Sequence, residues 1–229
     1  GLLVAAAAAL APAVLVLVAV VAASLVVGIL LAGGAAGALR AAGSLLVALG
    51  LAAVLLFPWS LEAVLPGAEW SSIAGVARAG DDGLSLGRLL RFDLGPLPSG
   101  PFGWTFAVAA ALPLLIGRSW RLGWALRCWA VALTSIGLAW AGGRGWVPIV
   151  LPPAEVLLAP AAAALALSTA LGLRAFELDL PRYRFGWRQG VSLAAAAAVG
   201  LACIPVLVTL PDGAWRQPDQ SLADVLRFL

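Results

Sequence analysis

AVLVLVAVVAASLVVGILLA, residues 13–32, runs for twenty positions without a charged side chain. A bilayer core of about 30 Å is crossed by roughly 20 apolar residues wound as a helix. The stretch is apolar on every face, whereas a barrel strand would alternate polar and apolar residues over about ten positions. In lipid a helix satisfies its own N–H and C=O groups, and an isolated strand cannot. These residues therefore predict a transmembrane helix. The apolar run begins earlier, at Leu2, and Pro12 interrupts it. Either one overlong, tilted helix spans the run, or Pro12 separates the tail of an earlier segment from the span over 13–32.

Further spans follow outward from this one. Gly33 and Gly34 break the run before Arg40, and a second span is predicted over 44–57, closed by Pro58 and Trp59. A third covers 102–116 and contains Pro113. A fourth covers 122–141, a fifth runs from the Pro152–Pro153 pair to 173, and a sixth covers 190–210. The fold expected is all-α, a polytopic transmembrane bundle of about six spans. Composition agrees: hydrophobic residues make up 63% of the 229 positions, charged residues 11%, and mean hydropathy is +1.05. Soluble domains average about 45–50% apolar and about 25% charged, so lipid must be the solvent over much of this chain.

All 14 basic residues are Arg, and Lys, His and Met are absent, a pattern suiting GC-rich codon usage. The lack of Met, with Gly1 already inside an apolar run, predicts an internal fragment of a longer protein. No positively charged segment precedes that run, so a signal peptide fits poorly. Cys128 and Cys203 both fall in apolar segments and are read as packing residues. Without His or a Cys cluster, a zinc or haem site has no ligand set, and no metal or cofactor is expected.

Charge predicts orientation. Alternating the connections places Arg40, Arg118, Arg121, Arg127, Arg174, Arg182, Arg184 and Arg188 on one side, against Glu177 and Asp179. The other side takes six Arg against nine acids. Arg in short loops is retained in the cytoplasm, so the first side is expected inside. The chain then divides into two N-terminal spans (1–57), an extracytoplasmic loop (58–101), four further spans (102–210) and the start of an extracytoplasmic segment (211–229). Six of the ten Trp, including Trp59, Trp104, Trp120 and Trp146, fall at or near span ends, where an amphipathic ring prefers to sit. Localisation is expected to be the plasma membrane, multi-pass. In the outer loop, Leu84, Leu86, Leu89, Leu90 and Phe92 interleave with Arg88 and Arg91. Such a segment either lies on the membrane surface or packs against its own bundle.

Few residues offer chemistry. Asp81 and Asp82 are adjacent acids in the long loop, able in principle to act as a base or hold a cation, yet Ala-Gly-Asp-Asp-Gly also reads as a solvated turn. Glu177-Leu-Asp179 is a loosened form of the acid pair that holds Mg²⁺ or Mn²⁺ against a nucleotide-sugar, but it lies between spans beside arginines, where ion pairing is the simpler reading. Arg182, Arg184 and Arg188 alternate with Tyr183, Phe185 and Trp187. Guanidinium groups suit bidentate phosphate recognition, so this loop is the candidate site for anionic headgroups or a polyprenyl phosphate. Plain anchoring to anionic lipid is the simpler reading. Glu155 after Pro152–Pro153 suits a helix N-terminus, and Arg127 lies within reach of the interface by snorkelling. Small residues at four-residue spacing, Gly28 with Ala32 and Gly33 with Gly37, could bring helices close. No basic soluble face suggests nucleic acid.

Several stretches carry a resemblance: Arg-Gly-Trp at 144–146, Leu-Pro-Pro-Ala-Glu-Val-Leu-Leu-Ala-Pro at 151–160, and Arg-Phe-Gly-Trp-Arg-Gln at 184–189. Phe-Pro-Trp at 57–59 and Pro-Phe-Gly-Trp at 101–104 add to them. Together they resemble the membrane region of large actinobacterial family 2 glycosyltransferases, over roughly 57–229. The resemblance implies a nucleotide-sugar domain upstream, carrying the catalytic acids, so no catalytic residue is expected within this chain. It also implies a membrane portion that handles a polyprenyl-phosphate-linked glycan in cell-envelope polysaccharide assembly. A noncatalytic assembly subunit and a polyprenyl-linked glycan transporter or flippase are the alternatives, and the scarcity of polar residues inside the spans weighs against the transporter.

Overall fold

A computed structural model describes residues 1–32, 34–62, 71–74, 84–94, 100–116, 120–179 and 187–209. Among the described residues all regular structure is helical. The elements are α1 (Leu2–Leu10), α2 (Ala13–Leu31), α3 (Ala35–Leu55), and three short helices, α4 (Trp59–Glu62), α5 (Ser71–Ala74) and α6 (Leu86–Leu90). A 3₁₀ turn (Gly100–Gly103) leads into α7 (Trp104–Ile116), followed by α8 (Trp120–Gly142), α9 (Ala154–Asp179) and α10 (Trp187–Thr209). Four helical stretches are long and apolar enough to cross a membrane: Ala13–Leu31, Ala35–Leu55, Trp120–Gly142 and Ala154–Arg174. Trp104–Leu115 is apolar but shorter.

Pro12 splits the first run. Its ring clashes with a helical conformation at the preceding residue, and Ala11 is extended, at φ −145° and ψ 93°. Two boundaries differ from the sequence reading. α3 begins at Ala35, not near residue 44, because the Ala-rich stretch after the glycine turn continues the helix straight through Arg40. That exposed guanidinium donates from Nε to the carbonyl of Ala36 at 3.3 Å. α9 runs on to Asp179, so Arg174, Glu177 and Asp179 lie on its last turns and not in a loop.

Close approaches set the directions of the helices. A Cβ at Gly28 would sit 2.7 Å from the Arg127 Cα, so α2 and α8 touch backbone to backbone there. Farther along, Val21 and Leu25 pack on Cys128, Val131 and Ala164, and Leu17 joins Ala132, Ile136 and Ala139 in the main core. α2 and α8 are therefore antiparallel. Gly172 of α9 meets Leu112 and Pro113 of α7, and Ser168 meets Ala110, so α7 and α9 run in the same direction. α10 packs on α7 through Val191 and Ala195 against Leu112.

A hydrogen-bonded node ties three helices. Pro113 inside α7 lacks the N–H that would bond the Ala109 carbonyl. The next carbonyl, of Ala110, accepts from Trp129 Nε1 of α8 at 2.9 Å and from Ser168 Oγ of α9 at 2.8 Å. Side chains of neighbouring helices commonly compensate a proline in this way.

α6 settles the two readings of the loop. Ser85 caps it by accepting from the Arg88 N–H at 3.3 Å, and Leu89 is fully buried among Ala110, Ala139, Ala154 and Leu157. The segment packs against its own bundle. Its C-terminus closes with the Phe92 N–H on the Leu89 carbonyl and the Asp93 N–H on the Arg88 carbonyl. This closure places Phe92 at φ 55°, where its ring meets Phe106 edge-on at 6.4 Å.

Candidate functional site

The helix directions sort the charges by end. Arg40, Arg121, Arg127 and Arg174 gather where α2 and α7 finish and α3 and α8 begin. Arg88, Arg91, Arg144, Asp93 and Glu155 stand at the opposite end, with the packed α6. This is the grouping that alternating the connections predicted.

At the first end, α8 carries Trp120, Trp124 and Arg127 at i, i+4 and i+7, one face of the helix. Arg127 lies seven residues from the start, about 10 Å along the axis. A helical side chain leans toward the N-terminus, and the Arg127 guanidinium rests on the Trp124 ring, its carbon 4.9 Å from the centroid. The charge is thereby drawn back toward the helix end. Trp120 and Trp124 are exposed, and Arg127 is partly buried. The Nε atoms of Arg121 and Arg127 are buried with no hydrogen-bond partner among the described residues. Gly123, one turn from Arg127, faces open space: a Cβ there would meet nothing within 4 Å.

At the opposite end, Arg144 stacks on two indoles, 4.6 Å from Trp140 and 5.9 Å from Trp146. The rings meet edge-on at 5.0 Å. Gly145, at φ 68°, makes the cluster possible by ending α8 in a left-handed residue, with the Trp146 N–H bonded back to the Ala141 carbonyl. At the same end, the partly exposed Arg88 and Asp93 side chains lie 3.9 Å apart, a surface pair that adds at most about 1 kcal/mol.

Of the residues the sequence singles out, Asp81, Asp82, Arg182 and Arg184 lie outside the described residues. Arg188 stands in the first turn of α10. Among the described residues no cluster of three or more His, Cys, Asp or Glu could hold a metal. Sequence reasoning treated Arg127 as a lone snorkelling charge and missed the stripe it shares with Trp120 and Trp124, although the spacing was there to be read. It took Trp146 as an interface anchor and missed its stacking with Arg144, because Gly145 creates that contact through a backbone turn. Comparison with protein-family models, curated proteins and solved structures gave no match in any of the three.

Proposed function

We propose that this chain is the multi-span membrane region of a cell-envelope glycosyltransferase, its catalytic domain lying elsewhere, and that its arginine-rich end receives the phosphate of a polyprenyl-linked glycan. The observation that carries the lipid-phosphate part is the gathering of Arg40, Arg121, Arg127 and Arg174 at one end of an apolar bundle. Arg182, Arg184 and Arg188 follow α9 in sequence and add to that same charge. The glycosyltransferase assignment draws its support from the sequence stretches that resemble that family. Six crossings, made by α2, α3 and α7 to α10, and a cytoplasmic arginine end complete the proposal, in keeping with Arg retention in short cytoplasmic connections.

The test has two parts. In a cysteine-free background, Ala36→Cys at the arginine end should resist an impermeant thiol reagent in intact cells, and Ile149→Cys at the other end should react. The reverse labelling would overturn the orientation. The triple variant Arg182→Gln, Arg184→Gln, Arg188→Gln should lose sugar transfer to a polyprenyl-phosphate acceptor at unchanged membrane level. Unchanged transfer would refute the proposed role.

A further inference from the structure

We infer that the Trp120–Gly123–Trp124–Arg127 face of α8 is a binding notch for the phosphate of a membrane lipid. The inference deepens, and rests on, the lipid-phosphate reading above, and it narrows the contact to Arg127 and the face of α8 beside it. Arg127 is rooted about 10 Å along a spanning helix, and even drawn back over Trp124 its charge is costly beside lipid without a counter-charge. Among the described residues, Gly28 lies against its backbone and stem, Trp124 lies under its charge, and its Nε has no acceptor. The side chain is nevertheless held in place, because Gly28 packs against its Cα and its guanidinium carbon lies 4.9 Å from the Trp124 ring centroid.

The space beside it suits a headgroup. Gly123 leaves the turn between Trp120 and Arg127 bare, and the two exposed indoles form walls at the depth where such rings sit in the membrane interface. A phosphate lodged over Gly123 would accept from the guanidinium in a charge-assisted, bidentate fashion. The hydrocarbon tail would then run into the bilayer. A free phosphate ion would have the same charge contact and nothing for the indoles to hold, so a lipid is the occupant.

Native mass spectrometry of the detergent-purified full chain tests this. The lipid probes are phosphatidylglycerol, an isoprenoid monophosphate and phosphatidylcholine, and inorganic phosphate is the competitor. Arg127→Gln should weaken the isoprenoid monophosphate about tenfold, the effect of losing a charged hydrogen bond. Gly123→Leu should do the same by filling the notch; a Cβ there meets nothing within 4 Å among the described residues, and an unchanged melting temperature in detergent checks that the variant folds. Arg127→Lys should recover part of the affinity, and Arg144→Gln, at the other end, none should be lost. If Gly123→Leu and Arg127→Gln both bind like the parent while the Arg182, Arg184, Arg188 triple variant does not, the notch is refuted and the broader lipid-phosphate reading stands. If all of them bind like the parent, both fail. Inorganic phosphate competing as tightly as the lipid would also overturn the notch.

Discussion

Helices α2 and α3 and helices α8 and α9 are all apolar enough to cross a membrane, yet they relate to the rest of the protein in opposite ways. In the apolar windows of α2 and α3, 11% of residues are buried, against 44% in α8 and 39% in α9. Leu39, Leu46, Val47 and Val54 of α3 each expose at least 70% of their surface, whereas Leu157 and Leu158 of α9 are almost wholly enclosed. Lipid tails are as apolar as Leu, so burial against protein brings no hydrophobic gain inside a bilayer. What separates the pairs is shape and polar detail. α8 and α9 meet through Ala132, Ala139, Ala161 and Ala164, small enough for close packing, and each donates a side-chain hydrogen bond to the Ala110 carbonyl of α7. Hydropathy thus reports the solvent of a helix, while the side-chain donors that reach another helix, Trp129 and Ser168, both stand on the buried pair.

Substituting glycines gives the largest contrast. Gly28→Leu drives a side chain into the α8 backbone, 2.7 Å away, and should cost about 3 kcal/mol, the upper range for overpacking. Gly50→Leu in α3 meets nothing within 4 Å and should be neutral or slightly stabilising, since it also removes a glycine from a helix. Thermal unfolding of both variants in detergent checks this, and equal melting temperatures would erase the distinction between the α2–α8 contact at Gly28 and the open face of α3 at Gly50. A smaller contrast comes from Leu157→Ala and Leu46→Ala. The first opens a cavity in the core and should cost roughly 2 kcal/mol, the packing share of a buried Leu→Ala change. The second trims a lipid-facing surface and should change stability by less than about 0.5 kcal/mol. A comparable loss at Leu46 would mean that this face is covered by protein.

Much of the bundle was legible from residue order, for definite reasons. Lipid forces helices wherever apolar runs are long enough, so α2, α8 and most of α9 follow from counting residues. The ends were less legible, because charge was taken to terminate spans. Arg40 and Arg174 sit on exposed helical turns near the water, where a guanidinium stays solvated without breaking the helix, so α3 starts early and α9 finishes late. The packing of α6 could not be chosen from its sequence, since a leucine–arginine pattern suits a lipid surface and a bundle end equally, and the full burial of Leu89 decides between them. For the candidate site, the arginine grouping by end was readable from loop alternation. The Trp120–Trp124–Arg127 stripe was readable from spacing alone, but its open floor at Gly123 depends on where α2 and its neighbours pass.

The smallest effect bears on why α7 belongs with α8 and α9. The Ala110 carbonyl has two lone pairs, and Trp129 and Ser168 each donate to it from a different helix. Ser168→Ala removes one donor at nearly the same volume and should cost about 0.6 kcal/mol, near the mean for hydrogen bonds inside a membrane protein. Trp129→Phe removes the other donor and also shrinks a ring packed on the core, so it should cost somewhat more. Together they strip the oxygen of both side-chain partners, leaving a carbonyl beside Pro113 in a setting without water. The double variant should therefore lose more than the sum of the two, a coupling that a double-mutant cycle on detergent unfolding measures directly. Ser24→Ala in α2 is the control. Its equally buried hydroxyl bonds only the Val20 carbonyl of its own helix, at 2.6 Å, and joins nothing to anything else. If the Trp129 and Ser168 changes proved strictly additive and no larger than the Ser24 change, the Ala110 node would be local decoration, and close packing of small residues alone would hold α7 in the bundle.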